Sequence, residues 1–195
     1  MRKKIAILGS TGSIGKSLID IIKKDQKSFE ITLLTANRNY KELIKQAKSF
    51  KVKNLIITDK KAFTLVKRIN FKKKFNIFNN YKNFKKIFKR KNDFVMSSIT
   101  GLEGLEPTLS SIKFTKNILI ANKEAIICGW SLIEKEMLKY KTNFIPVDSE
   151  HFSIWSLLKK DEISKIDKIY ITASGGPFLK LPKKNFSNIS VKNAL

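Results

Sequence analysis

An apolar run at Lys4–Leu8 ends in Gly9-Ser10-Thr11-Gly12-Ser13-Ile14-Gly15, and helical spacing begins at once, with Ile14, Leu18, Ile21 and Ile22 on one face. This junction constrains the fold more than any other part of the chain. A glycine at every third position permits a tight turn and lets a ligand approach the backbone closely. The helix that follows then offers its free N–H groups and positive dipole end to an anion. The motif is a variant of the dinucleotide-binding fingerprint, and its context of strand, loop and helix points to a nucleotide pyrophosphate.

The rest of the chain keeps the same alternation. Further apolar strands are expected at Ile31–Ala36, Asn54–Thr58, Asn76–Phe78, Phe94–Ile99, Asn117–Ala121, Asn143–Val147 and Lys168–Thr172. Helical patterns lie between them at 40–50, 62–69, 81–88, 105–112, 130–140 and 149–158. Strands that are near-continuously apolar are buried on both faces, so the expected fold is α/β: a Rossmann-like, doubly wound, mostly parallel sheet. The rhythm fades after Gly176.

Charge is the most unusual feature of the composition, with 40 Lys and Arg against 16 Asp and Glu, a net +24. Lysine far outnumbers arginine, asparagine, isoleucine and phenylalanine are plentiful, and the lysines are spread along the chain, as A+T-rich coding produces. The charge is therefore read as compositional, with no nucleic-acid or membrane partner expected. A positive field still favours anionic, phosphorylated ligands. Tyr81, Phe84, Ile87 and Phe88 sit at core-facing spacing and are read as packing rather than base stacking. No apolar run approaches the roughly 20 residues of a bilayer span, and the apolar part of the basic N-terminus is too short for a signal peptide, so a cytoplasmic location is expected. The lone cysteine, Cys128, has apolar neighbours and is expected to be a buried structural thiol.

The end of the second strand refines the nucleotide reading. NAD-selective sites place a carboxylate there; this chain has Asn37-Arg38-Asn39. A guanidinium suits a ribose 2′-phosphate, so NADP(H) is expected over NAD(H). Polar clusters also follow three later strands: Asn122-Lys123-Glu124, Asp148-Ser149-Glu150-His151 and Ser174-Gly175-Gly176. In an open parallel sheet the ligand crevice lies outside the carboxyl ends of the strands, so these clusters can converge on one site. Each alone also reads as a helix cap, a solvated charge or a turn.

Together, the stretches "ILGSTGSIG", "ANRN", "ANKEA", "PVDSEH" and "SGGPF", in this order over residues 5–178, resemble the N-terminal half of the 1-deoxy-D-xylulose 5-phosphate reductoisomerase family. The resemblance implies an NADP-dependent oxidoreductase of the non-mevalonate route to isoprenoid precursors. Its substrate, a small phosphorylated sugar, is isomerised and then reduced by NADPH to 2-C-methyl-D-erythritol 4-phosphate, with Mg²⁺, Mn²⁺ or Co²⁺ as the divalent cation. It implies that Thr11, Gly12, Ser13, Ile14, Asn37, Arg38 and Asn39 hold NADPH, with Asn122 and Glu124 completing the cofactor side. It implies that Lys123, Ser149, Glu150 and Ser174 contact substrate. Asp148 and Glu150, hard oxygen donors one residue apart, suit the cation; His151 adjoins them. Lys123, Asp148, Glu150 and His151 are the candidate catalytic residues. The resemblance also implies a homodimer, and domains at 1–146 (NADPH-binding) and 147–195 (the start of an incomplete α/β catalytic domain).

The sequence departs from the family in three ways. Asn37 stands where glycine is common, Arg38 replaces a lysine, and Phe152-Ser153-Ile154-Trp155 follows His151 in place of a "SAIFQ"-like stretch. Family members run about twice this length, so the chain is expected to be a fragment whose NADPH half folds and whose catalytic half is inactive alone. Two other readings explain less. Another NADP-dependent Rossmann dehydrogenase accounts for the glycine loop and Arg38 but not for "PVDSEH" and "ANKEA". A basic nucleic-acid-binding module accounts only for the charge.

Overall fold

A computed structural model describes residues 1–70, 74–158, 165–170, 176, 178–190 and 193, excepting the Glu150 side chain. It divides into two compact units, Met1–Phe152 and Ser153–Leu195.

In the first unit the elements alternate as expected: β1 (Lys3–Leu8), α1 (Ser13–Lys24), β2 (Phe29–Ala36), α2 (Tyr40–Ser49), β3 (Asn54–Ile57), α3 (Lys60–Ile69) and β4 (Asn76–Phe78). A 3₁₀ turn at Tyr81–Asn83 leads into a single turn, α4 (Phe84–Ile87), then β5 (Asn92–Ser97). A second 3₁₀ turn, Leu102–Gly104, precedes α5 (Leu105–Ile112), β6 (Thr115–Ile120), α6 (Lys123–Tyr140) and β7 (Asn143–Pro146). The last helix, α7 (Ser149–Leu158), starts in this unit and runs into the second. The seven strands form one sheet in the order β4-β3-β2-β1-β5-β6-β7, and every pair is parallel.

The apolar strand runs follow from this arrangement. In β1, Ile5 and Ile7 pack with Ile19 and Ile22 of α1, Leu43 of α2 and Val66 of α3. Ala6 and Leu8 join the cluster on the other face, with Ile112 of α5 and Ile133 and Met137 of α6. A strand covered on both faces cannot alternate with polar residues. The aromatics near Tyr81 belong to the second cluster: Phe84 and Phe88 are buried and stack with centroids 5.4 Å apart. Each fully buried aliphatic side chain contributes roughly 1.5–3 kcal/mol.

A polar row that the sequence reading did not foresee crosses the opposite edge, where the strands begin. Asn76 Nδ2 donates to Asn54 Oδ1 (3.0 Å), Asn54 Nδ2 to the Thr32 carbonyl (3.1 Å), and Thr32 Oγ1 to Asn92 Oδ1 (2.7 Å). Beyond β5 the row continues through Asn117 Nδ2 to the Asp93 carbonyl and Asn143 Nδ2 to Asn117 Oδ1. Beside it, the Lys4 backbone N–H and the Lys116 ammonium hold the Asp93 carboxyl below its usual range. Its folded pKa is depressed, so its stabilising effect is complete above the unfolded carboxyl pKa and is lost as pH falls through the folded value. Asp93→Asn is expected to lower stability near pH 7, by a difference that shrinks as the pH falls below the ordinary carboxyl range, which urea titrations from pH 7 downward check.

Three expectations are corrected here. The helix expected from Trp130 starts at Lys123: Asn122 Oδ1 caps it by accepting from the Ala125 N–H (3.0 Å), and mid-helix Gly129 makes room for Leu105 rather than breaking the helix. Cys128 is exposed, because the buried stripe of α6 runs through Ala125, Gly129, Ile133 and Met137 and leaves it on another face. In the second unit, residues 166–170 form no strand, and no partner strand for them lies among the described residues; 171 and 172 lie outside those residues. That unit otherwise shows the end of α7 and a 3₁₀ segment, Lys183–Asn188. Among the described residues no helix is long and apolar enough to cross a membrane.

Candidate functional site

The glycine loop is held from below. Gly9, at φ +81°, turns the chain out of β1 and donates its N–H to Thr35 Oγ1 (2.8 Å). The Ser10 N–H donates to the Thr35 carbonyl (2.9 Å), and Gln46 Nε2 reaches the Ser10 carbonyl (3.0 Å). The loop is thereby fixed to the end of β2. Helix α1 opens at Gly12 with no side-chain cap and no acidic residue in its first turn. Its first N–H groups therefore face outward with their partial positive charge, the arrangement a phosphate anion requires.

A cavity of about 320 Å³ lies over this loop, between the ends of β2, β1 and β5. Gly9, Thr11, Gly12 and Asn37 line it. So do Ser98, Ile99, Thr100 and Glu103, which the sequence reading did not single out, and Tyr81, which it read only as packing. The strand-end rule that found Asn122 and Asp148 also applies to Ser98–Thr100, which follow β5, the neighbour of β1 at the point where strand order reverses. Burial pushes the Tyr81 hydroxyl pKa up; the Thr35 hydroxyl lowers it and the Glu103 carboxylate raises it, with a net upward shift. Tyr81 is thus a neutral wall of the cavity at physiological pH.

A second cavity adjoins the first through Asn37, Thr58 and Glu103, and contains Arg38, Tyr40 and Asp59. Arg38 is 86% exposed, its Nε 3.6 Å from Asp59 Oδ2. The other oxygen of Asp59 caps α3 through the Ala62 N–H (2.8 Å). Asn39 caps α2 by accepting from the Glu42 N–H (3.3 Å), so its side chain serves the scaffold. Ser13 and Ile14 are exposed at the start of α1.

Along the same edge, past β5, come the ends of β6 and β7. Asn122 is buried and its amide is fully committed: Nδ2 donates to the carbonyls of Ile99 (2.6 Å) and Gly101 (2.5 Å), and Oδ1 caps α6. The sequence reading assigned Asn122 to the cofactor side; the geometry gives its side chain to the Ile99–Gly101 loop, whose Ile99 lines the cavity over the glycine loop. Lys123 and Glu124 are exposed on the first turn of α6.

Asp148 caps α7. Its Oδ1 accepts from the His151 N–H (2.9 Å) and meets His151 Nδ1 (2.6 Å). Burial pushes the Asp148 carboxyl up, but the two hydrogen bonds and the imidazole outweigh it and leave the pKa below the ordinary value. An ionised carboxylate with one oxygen engaged fits a hard divalent cation as a single ligand. His151, 73% exposed, orients that carboxylate. Ser149 is exposed at the helix start. The Glu150 side chain and Ser174 lie outside the described residues. Among the described residues no three of His, Cys, Asp and Glu come together as a metal cluster.

The sequence profile of 1-deoxy-D-xylulose 5-phosphate reductoisomerase matches residues 5–129, and that of its C-terminal domain matches residues 144–195. The chain is 60% identical to the reductoisomerase of Pelagibacter ubique over 195 residues, which is 99% of this chain and 50% of that protein. Among solved structures it resembles the Zymomonas mobilis reductoisomerase in complex with NADPH (31% identity, TM-score 0.70, 77% of this chain and 40% of that one). It also resembles a DOX-P reductoisomerase in complex with NADPH, fosmidomycin and magnesium (29% identity, TM-score 0.77, 98% of this chain and 50% of that one). The chain spans about half the length of the curated relatives it matches. With the profile covering most of its length and its glycine loop, Arg38 and Asp148 regions lying along one sheet edge, this chain belongs to the 1-deoxy-D-xylulose 5-phosphate reductoisomerase family.

Proposed function

We propose that this chain carries the NADPH-binding region and the first metal-ligating residues of an enzyme converting 1-deoxy-D-xylulose 5-phosphate to 2-C-methyl-D-erythritol 4-phosphate. The observation that carries the reading is the row of strand ends. β1, β5, β6 and β7 are consecutive in the sheet and all parallel. At strand spacings of nearly 5 Å they set the glycine loop, Ser98–Thr100, Asn122–Glu124 and Asp148–His151 along roughly 15 Å of one edge. A dinucleotide laid along that edge brings its redox end towards the carboxylates.

Each residue then has a task. Thr11, Gly12, Ser13 and Ile14 bind the pyrophosphate through the α1 N-terminus. Arg38, with Asn37, binds the 2′-phosphate, and Asn39 holds them in place by capping α2. Asn122 supports the cofactor side by fixing the Ile99–Gly101 loop, with Glu124 beside it. Lys123, Ser149, Glu150 and Ser174 contact the anionic substrate. Asp148 and Glu150 hold the cation, and His151 holds Asp148 in place by its ring hydrogen bond. When bound, NADPH supplies the hydride, and the cation acts as a Lewis acid on the substrate carbonyl. Cytoplasmic location and homodimeric assembly complete the proposal; the absence of an apolar spanning helix among the described residues accords with the first.

The test is cofactor selectivity. NADPH is expected to raise the melting temperature in a concentration-dependent way, with NADH much weaker. Arg38→Ala is expected to weaken NADPH by about 10- to 100-fold, the worth of a charge-assisted contact, and to leave NADH within about twofold. Equal losses for both cofactors would remove Arg38 from the 2′-phosphate, and no binding of either would remove the reading itself.

A further inference from the structure

The sheet edge opposite the glycine loop carries a second built feature. A cavity of about 690 Å³ opens where β1, β2, β3 and β5 begin. Arg2, Lys4, Lys51, Lys53, Lys89 and Arg90 line it against a single carboxylate, Glu30. Lysine and arginine make up about a fifth of the chain, yet six of the fourteen residues lining this cavity. By contrast, the cavity over the glycine loop is lined by no cation and by one carboxylate, Glu103, and the cavity around Arg38 sets Arg38, Lys60 and Lys61 against two carboxylates, Asp59 and Glu103. Among the described residues none of the six has a carboxylate within ion-pairing distance. Helix α2 ends here and presents about half a negative charge, which leaves most of the surplus unanswered.

The floor is ordered. Thr32, Asn54 and Asn92 of the polar row lie in it, with their side chains tied to one another and to backbone carbonyls. Phe50, Ile87 and Phe88 form an apolar wall. Lys51 sits in the left-handed region at φ +56°, where glycine is the unstrained choice, in the turn closed by the Val52 N–H on the Ala47 carbonyl. That turn fixes its backbone at the cavity rim.

We propose that this cavity is a binding site for a multivalent phosphate anion of diphosphate size or larger, separate from the nucleotide site at the other edge. Several cations converging on a shallow polar floor suit an anion that spreads its charge over more than one phosphate, each phosphate taking charge-assisted hydrogen bonds. The apolar wall accommodates an organic group attached to it. The site is independent of the cofactor assignment, since no residue is shared with the cavities holding the glycine loop or Arg38.

The test is a backbone-amide NMR titration of the 195-residue chain with inorganic pyrophosphate, and in parallel with ADP, at physiological salt. Saturable shifts at Thr32, Lys53, Asn54 and Asn92 are expected. Tighter binding of ADP at these amides assigns the anion to a nucleotide and tighter binding of pyrophosphate to a free polyphosphate; both support the site. Lys53→Gln combined with Arg90→Gln is expected to weaken binding about tenfold or more. Lys45→Gln combined with Lys135→Gln, which removes the same charge elsewhere, is expected to change it less than about twofold. Shifts confined to Gly12–Ile14, non-saturating shifts spread over the surface, or equal losses in the two double variants overturn the proposal. A short DNA duplex that saturates the same amides about tenfold more tightly than either probe also overturns it, by giving the surface to nucleic acid.

Discussion

Gly15→Ala is expected to be the most damaging single change in the nucleotide site. A Cβ at Gly15 would overlap the Gly9 carbonyl oxygen and lie 2.6 Å from Ser10 Cα and 2.8 Å from its carbonyl carbon. These are backbone atoms, and the loop cannot yield, because Ser10 is tied to Thr35 and Gln46. The loss of stability is expected to reach about 3 kcal/mol, the upper part of the range for overpacking a closed site, and NADPH binding should disappear with the loop geometry. Gly12→Ala is the control from the same motif. Its added Cβ meets nothing closer than the Gly9 carbonyl oxygen at 3.4 Å, and its φ of −77° suits any residue. Gly12→Ala is therefore expected to fold with nearly the parental stability and to lose only cofactor affinity, through the blocked approach to the pyrophosphate. Urea denaturation and NADPH titration on both variants check the contrast. Equal stability losses would mean that the motif acts through its flexibility and not through close packing.

Asn122→Ala is expected to cost about 3 kcal/mol as well, by a different route. It removes a helix cap, worth about 1 kcal/mol, and leaves the half-buried Ile99 and Gly101 carbonyls without their donor. Asn122→Asp separates the two effects. Aspartate keeps the cap on Ala125 but sets a carboxylate oxygen against two carbonyl oxygens, so it is expected to destabilise at least as much as alanine at neutral pH. A stability for Asn122→Asp equal to the parent would show that the cap alone matters. Both variants should weaken NADPH binding, because Ile99 is part of the cavity wall.

Much of the architecture could be read along the chain because its signals are local. Strands buried on both faces appear as Ile7-Leu8 or Leu55-Ile56-Ile57 without alternation, and the glycine loop carries its turn and helix start within seven residues. Arg38 was singled out by its position after the second strand, and the structure places it just past the end of β2. What could not be read depends on partners distant in sequence. Asn122 looked like a ligand-facing amide because Ile99 and Gly101, more than twenty residues earlier, do not announce that they will face it. Gly129 fell just outside the helix expected from Trp130, because Leu105, which fills the space beside it, belongs to another helix. Cys128 was placed inside on its apolar neighbours, but Ile127 beside it is itself 81% exposed. Tyr81 and Glu103 had no motif at all; their place at the cavity comes from sheet order. The Asp148–His151 pair lay in plain view as an i, i+3 spacing, and only the cap geometry showed that one oxygen serves both the helix and the imidazole.

The strand order has a consequence for how the protein is made. β1, the earliest of these seven strands in chain order, lies inside the sheet, with three strands on each side. β2, β3 and β4 then extend one edge in turn, and β5, β6 and β7 extend the other. Each strand after the first thus meets a neighbour that already exists when it leaves the ribosome. Among these seven strands only β1 emerges with no partner already translated, which shortens the exposure of unpaired edges in a sheet built wholly of slow-forming parallel pairs.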